Sequence, residues 1–168
     1  RLQGFASDLF GEGKQPLVRF EPRAGEGRAA VVPARLAPRE RVDPARAVRR
    51  RRLVLNMGMG GMMGGGMMGG GMGMVGINGR PFDMDRIDER VRLGDVEIWE
   101  ASGDMMAHPL HIHGVHFEVL SRNGSKPAIR DQGLRDTVLV REPVELLVHF
   151  TQPAVKAPFM YHCHILEH

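Results

Sequence analysis

Apolar and polar residues alternate with a period of two along most of the second half of the chain. "DVEIWEAS" (95–102) puts Val96 and Ile98 on one face and Glu97 and Trp99 on the other, and polarity predicts Val96 and Ile98 inward. "HFEVLSRNG" (116–124) alternates in the same way and ends at Asn123-Gly124, a pair that tolerates the left-handed backbone of a tight turn. "DTVLV" (136–140), "VELLVHF" (144–150) and "FMYHCHI" (159–165) follow, and "INGRPFDM" (77–84) offers another turn at Asn78-Gly79. Strands recur roughly every ten to fifteen residues with turn residues between them, and no helical period competes. The pattern predicts an all-β chain, folded as an antiparallel β-sandwich.

The first third of the chain differs. "PLVRFEP" (16–22) alternates, ends at a proline and reads as one strand, the tail of an upstream domain. Residues 23–47 are rich in Pro, Ala, Gly and Arg with no sustained period, which is linker composition. "RRLVLNM" (51–57) reads as a strand that opens something new. The expected organisation is therefore 1–22 as the end of one domain, 23–50 as linker and 51–168 as a second domain. Inside this second domain, as an insert, lies "MGMGGMMGGGMMGGGMGMVG" (57–76), with 8 Met, 11 Gly and one Val. Glycine at that density opposes helix and sheet alike, so a mobile loop is expected. Its thioethers are soft donors, suited to Cu(I) far better than to Zn(II) or Mg(II).

Charge follows the same division. The formal net charge is +3, composed of +7 over residues 1–52 and −4 over 53–168. "RRRR" (49–52) reads as solvated linker charge, since no aromatic interleaving or nucleic-acid motif accompanies it. No run of about 18 apolar residues is present, so no membrane span is expected. No signal peptide is visible. One cysteine cannot form an internal disulfide.

That cysteine stands in "YHCHILEH" (161–168), and a second histidine cluster stands in "HPLHIHGVHF" (108–117). In a strand, His162 and His164 point one way and Cys163 the other, and His111 and His113 likewise share a face. Two such imidazole pairs can converge on metal between neighbouring strands, leaving Cys163 to a separate site on the opposite side. Thiolate with imidazole favours copper or zinc. His108 and His168 are the candidates to join Cys163, and a His, Cys, His set matches the trigonal blue-copper pattern, usually completed by a weak axial Met. The backbone of Cys163 also links it covalently to His162 and His164, a short bonded route for an electron between the two sites. A structural zinc site does not need that link. A cysteine nucleophile with a histidine base is opposed by alternation, because the adjacent imidazoles face away from the sulfur. His116 and His149 lie outside the clusters and are read as non-ligands.

With "HPLHIHG" and "HCHILEH" the chain resembles the third, C-terminal cupredoxin domain of multicopper oxidases, whose two copper motifs are HPxHxH and HCHxxxH. The resemblance covers roughly residues 51–168. It implies a cupredoxin-like Greek-key sandwich, C-terminally incomplete, preceded by an interdomain linker and by the end of an upstream cupredoxin domain. It implies that His108, Cys163 and His168 hold a type 1 copper, that His111 is a type 2 ligand, and that His113, His162 and His164 hold a type 3 pair. The implied reaction is four one-electron oxidations at type 1 copper coupled to reduction of O2 to two waters. The histidines of a first domain are also needed, so the isolated chain is expected to be inactive.

The chain is more closely similar to bacterial cuprous oxidases of copper tolerance, which carry a Met-rich insert and "GDMM" ahead of the first motif, here Gly103-Asp104-Met105-Met106. In extended chain Asp104, Met106 and His108 share a face, so Asp104 and Met106 are expected to hold substrate Cu(I) beside a type 1 ligand, with Met57 as a third donor. The insert departs from that subgroup in lacking His and Asp. The subgroup's second substrate-site aspartate falls near Met62, and Met59, Met62 or Met63 are the alternatives. The axial Met and the last strand are expected beyond residue 168. The implied location is periplasmic or otherwise exported. The alternatives are a laccase-like phenol oxidase and a non-enzymatic copper-binding or electron-transfer cupredoxin.

Overall fold

The computed structural model describes residues 2–7, 14–20, 31, 33, 41–57, 75–104 and 106–165, the first two stretches by their backbone. The chain divides into two compact units, Arg1–Arg41 and Val42–His168. In the first, β1 (Leu2–Ser7) pairs antiparallel with β2 (Lys14–Phe20). The strand expected at 16–22 is therefore not alone. Gly4 interrupts the alternation of "LQGFAS", and the pairing absorbs the interruption as a register shift between Gly4 and Phe5.

The second unit begins with a single 3-10 turn, Pro44–Arg46, whose Ala45 amide donates to the Asp43 carboxylate at 2.9 Å. Eight strands follow: β3 (Arg49–Asn56), β4 (Gly76–Ile77), β5 (Val96–Gly103), β6 (His108–Ile112), β7 (Phe117–Arg122), β8 (Thr137–Val140), β9 (Val144–His149) and β10 (Tyr161–Cys163). They form one sheet in the order β4-β3-β5-β9-β7 and another in the order β10-β6-β8. One apolar core joins them, with Leu53, Leu55, Trp99, Phe117 and Leu146 from the first sheet meeting Leu110, Ile112, Val138, Val140 and Cys163 from the second. Asn78-Gly79 and Asn123-Gly124 make the expected turns, all four residues at positive φ (55°, 70°, 45° and 72°). Among the described residues no helix is long and apolar enough to cross a membrane.

Four expectations are corrected. The sandwich is not wholly antiparallel, because β3 runs parallel to β5. The long connection between them, which includes β4 and residues 78–95, gives the chain room to return in the same direction. The inward face of β5 is the opposite of the one polarity suggested. Trp99 and Ala101 lie in the main core, while Val96 and Ile98 lie on the other face with Leu147, covered by half-buried Leu120 and by Val42 and Ala47. Those last two residues fall in the expected linker, yet residues 42–50 belong to the second unit. Finally, Arg49, Arg50 and Arg52 of the arginine run are exposed, as expected, but Arg51 is half-buried and structural. Arg51 donates to both oxygens of buried Glu97 (2.5 and 2.9 Å) and to Glu89, and Trp99 Nε1–H donates to Glu97 at 2.9 Å. Arg50 pairs with Glu100 and Glu145 on the surface. Glu97 can therefore share Trp99's face, because its charge is neutralised where it is buried.

Candidate metal centre

Strand β10 pairs antiparallel with β6 in the register Tyr161↔Ile112, His162↔His111 and Cys163↔Leu110. The ladder continues past both strand ends, with the His164 amide donating to Pro109 O and the His113 amide to Met160 O, each at 2.9 Å. Pleating then sorts the side chains. His108, Leu110, Ile112 and Cys163 are buried in the sandwich. His111, His113 and His162 are half-buried and His164 is exposed. These four rings gather together, with centroids 4.6 Å apart for His111–His113, 4.8 Å for His162–His164, 5.2 Å for His113–His162 and 5.3 Å for His111–His164.

The hydrogen bonds fix which nitrogen is unprotonated in the rings of His108, His111, His113 and His162. A carbonyl can only accept, so a ring nitrogen facing one carries the proton. His108 Nε2–H donates to Asp104 O at 2.9 Å, leaving Nδ1 as the basic nitrogen, 3.9 Å from Cys163 Sγ. His111 Nδ1–H donates to Asp136 O at 2.9 Å, and His162 Nδ1–H to Cys163 O at 3.1 Å. His162 Nε2 is then an acceptor, and His113 Nε2–H donates to it at 3.0 Å. Burial, with the nearby His111, His162 and His164, holds the His113 ring below the ordinary histidine pKa and so keeps it neutral, the form that binds metals. Burial pushes the Cys163 thiol up, so in this apolar seat it ionises only if a cation joins it.

This donor set fits a metal on each side of β10. With a metal–sulfur bond of about 2.3 Å and a metal–nitrogen bond of about 2.0–2.1 Å, trigonal geometry separates sulfur and nitrogen by about 3.8 Å, close to the Cys163–His108 spacing. Two nitrogens bound to one ion at those lengths stand about 3.0 Å apart when the angle is near 95°, the spacing of the His113 and His162 Nε2 atoms, so an ion that displaces the proton they share fits between them. Among the described residues, no three His, Cys, Asp or Glu side chains already close around one point. The cluster offers donors from one side, as half of a site would. Gly103 is part of the His108 seat, since a Cβ there would lie 2.4 Å from His108 Cδ2.

Asp104 sits beside this seat. Its backbone carbonyl accepts from His108 Nε2–H and also from the Met106 amide at 2.5 Å, so Met106 is folded back onto Asp104. The extended arrangement expected for Asp104, Met106 and His108 is thus replaced by a turn, which still leaves Asp104 Oδ1 3.7 Å from His108 Nε2. The Met57 amide donates to that same Oδ1 at 3.0 Å, so the start of the Met/Gly stretch meets Asp104. His168, Met59, Met62, Met63 and most of the 57–76 insert lie outside the described residues. His116 is exposed, and His149 ends β9 opposite Val96. Sequence reasoning missed the partners of His111 and the role of Gly103. A glycine inside a strand pattern does signal close approach, whereas nothing local to His111 points to residues 136–137.

A family model described as multicopper oxidase matches residues 50–168. A cell division protein FtsP from Pectobacterium atrosepticum is 46% identical over 93 residues, which is 55% of this chain and 20% of that protein. A multicopper oxidase mco from Staphylococcus haemolyticus is 39% identical over 101 residues, 56% of this chain and 22% of that protein. The solved structure of CueO, a laccase-like multi-copper oxidase from the lignin-degrading bacterium Ochrobactrum sp., is similar with a TM-score of 0.75 at 37% identity. That match covers 96% of this chain and 37% of that one. The chain spans about a fifth of the length of these curated relatives.

Proposed function

The chain belongs to the multicopper oxidase family, and on that premise we propose that it forms the part of a copper-dependent oxidase in which electrons enter and cross between metal centres. One observation carries this reading. Cys163 faces His108 inside the sandwich, while the imidazoles on either side of it join His111 and His113 on the opposite face. Copper, when bound, supplies one-electron acceptance on the Cys163 side and reduction of O2 to water on the imidazole side. His108 and Cys163, with His168, hold the first centre, and His111, His113, His162 and His164 contribute to the second. Core residues keep water from the thiol, and the β10 backbone gives an unbroken covalent link from sulfur to both flanking rings. Histidines from another domain of the full-length protein complete the second centre, so the isolated chain is inactive. The location is periplasmic or otherwise exported.

The electron donor in this reading is Cu(I). The Met57–Asp104–His108 linkage supports it, since a soft-donor stretch begins at Asp104, whose carboxylate accepts from the Met57 amide and whose backbone carbonyl accepts from the ring of a copper ligand. Asp104, Met106 and Met57 hold the ion, and oxidation to Cu(II) weakens its affinity for thioether and releases it. In the full-length enzyme, replacing Met57 and Met106 by Leu lowers Cu(I) oxidation at least about tenfold, equivalent to about 1.4 kcal/mol of transition-state binding. Phenol oxidation stays near the wild-type rate. Equal losses would sink the Cu(I) site in favour of a laccase-like oxidase, the reading closest to the Ochrobactrum neighbour, whose reported activity is towards lignin model compounds and lignosulfonate.

A second reading rests on the FtsP relatives, which are named for cell division. Metal analysis of the full-length protein separates the readings. Four or more coppers per chain support the oxidase, about one supports an electron-transfer cupredoxin, and none supports a metal-independent role.

A further inference from the structure

His111 differs from the other clustered imidazoles in how its second nitrogen is held. It stands opposite Thr137 in the β6–β8 register. Its Nδ1–H is shared between Asp136 O at 2.9 Å and Thr137 Oγ1 at 3.0 Å. The Asp136 carbonyl is also used by the Ile112 amide at 3.0 Å, so it does not serve His111 alone. The Thr137 hydroxyl in turn donates to Asp136 Oδ1 at 3.0 Å. With its hydrogen committed to a carboxylate, Oγ1 can meet His111 only with a lone pair. A hydroxyl is normally indifferent between donating and accepting, and here the carboxylate removes the choice.

The segment that leads into these groups is braced at two points. Arg122 donates twice to Asp131, at 2.9 Å from Nε and from a terminal nitrogen. Arg135 is tied to Phe117 by two reciprocal backbone hydrogen bonds of 2.7 and 2.9 Å. The bracing fixes Asp136, and through it the hydroxyl.

We propose that Thr137 is a positioning residue for the imidazole cluster: its hydroxyl, anchored on the Asp136 carboxylate, works with the Asp136 carbonyl to hold His111 in the Nδ1–H tautomer and so presents Nε2 as the metal-binding nitrogen. The proposal builds on the copper reading of the cluster, but the tautomer it specifies exists without metal. Partners of this kind orient a ligating imidazole and raise its donor strength, and their loss typically weakens metal binding about 10- to 100-fold.

The test uses the full-length protein with Thr137→Val, Thr137→Ala and Thr137→Ser. Nitrogen-15 NMR of the metal-free protein reads the His111 tautomer. Copper titration reads affinity at the imidazole cluster, and visible absorption reads the Cys163 site on the other face. Wild type and Thr137→Ser show one tautomer, protonated at Nδ1. Thr137→Val and Thr137→Ala, left with the Asp136 carbonyl as the only acceptor of the pair, show a measurable fraction of the Nε2–H tautomer beside the Nδ1–H form, bind copper at the cluster about 10- to 100-fold more weakly, and keep the Cys163 absorption. Thr137→Ala supplies the result should the valine variant fail to fold. An unchanged single tautomer in both, failure of Ser to restore it, or equal loss at the Cys163 site overturns the proposal. A wild type that shows the Nδ1–H tautomer but takes up no copper contradicts the oxidase reading and leaves the positioning role supported.

Discussion

Gly103 has no side chain because the ring of His108 occupies that space, with 2.4 Å between an added Cβ and Cδ2. The neighbour is a buried ring held at Nε2 by the Asp104 carbonyl, so it cannot swing aside cheaply. Gly103→Ala is expected to cost about 1–3 kcal/mol in chemical denaturation, as over-packing does. In the copper-loaded full-length protein it also weakens the thiolate absorption of the Cys163 site. An unperturbed spectrum would show that the His108 position is not critical. At this scale the sequence disclosed much. Spacing alone separated Cys163 from the flanking imidazoles, because pleating follows from the backbone. Spacing could not show which nitrogen each ring presents, since that depends on carbonyls and hydroxyls brought in from other strands.

At the scale of elements, Arg51 of β3 and Arg122 at the end of β7 behave alike, each pairing with a buried carboxylate. Alternation located β5 correctly but reversed its faces. Glu97 looked like a solvent marker, and only Arg51, far away in sequence, lets it lie beside Trp99. The parallel pairing of β3 with β5 was equally hidden, because period and turn residues describe single strands and hairpins, not crossovers. The second carboxylate, Asp131, is held below its ordinary pKa by hydrogen bonds from Arg122. A depressed carboxyl stabilises the fold above its unfolded pKa of about 3.9 and loses that contribution as pH falls through the folded value. Asp131→Asn is therefore expected to cost about 1.5–3 kcal/mol at neutral pH, with the difference from wild type shrinking below about pH 4. Denaturation curves across pH check this, and a constant difference would remove the ion pair from the account. The exposed Arg50 pairs are expected to add little.

At the scale of the whole molecule, the second unit is a sandwich whose smaller sheet carries donors on both faces. Cys163 and His108 face the core, and four imidazoles face outward. A domain built this way holds a thiol and an imidazole in an interior insulated from water and an imidazole cluster on its outer face, the two-sided arrangement that the proposed oxidase needs. The sandwich and its turns were legible from the chain alone. The boundary was less so, since residues 42–50 have linker composition yet pack on the outer face of β5 through Val42 and Ala47.

The most direct measurement is the visible absorption of the copper-loaded full-length protein beside its Cys163→Ser variant. An intense thiolate-to-Cu(II) band in the wild type is expected to vanish in the variant while copper bound by the imidazoles remains. A wild type without that band, or a variant that keeps it, would contradict the two-sided reading of β10.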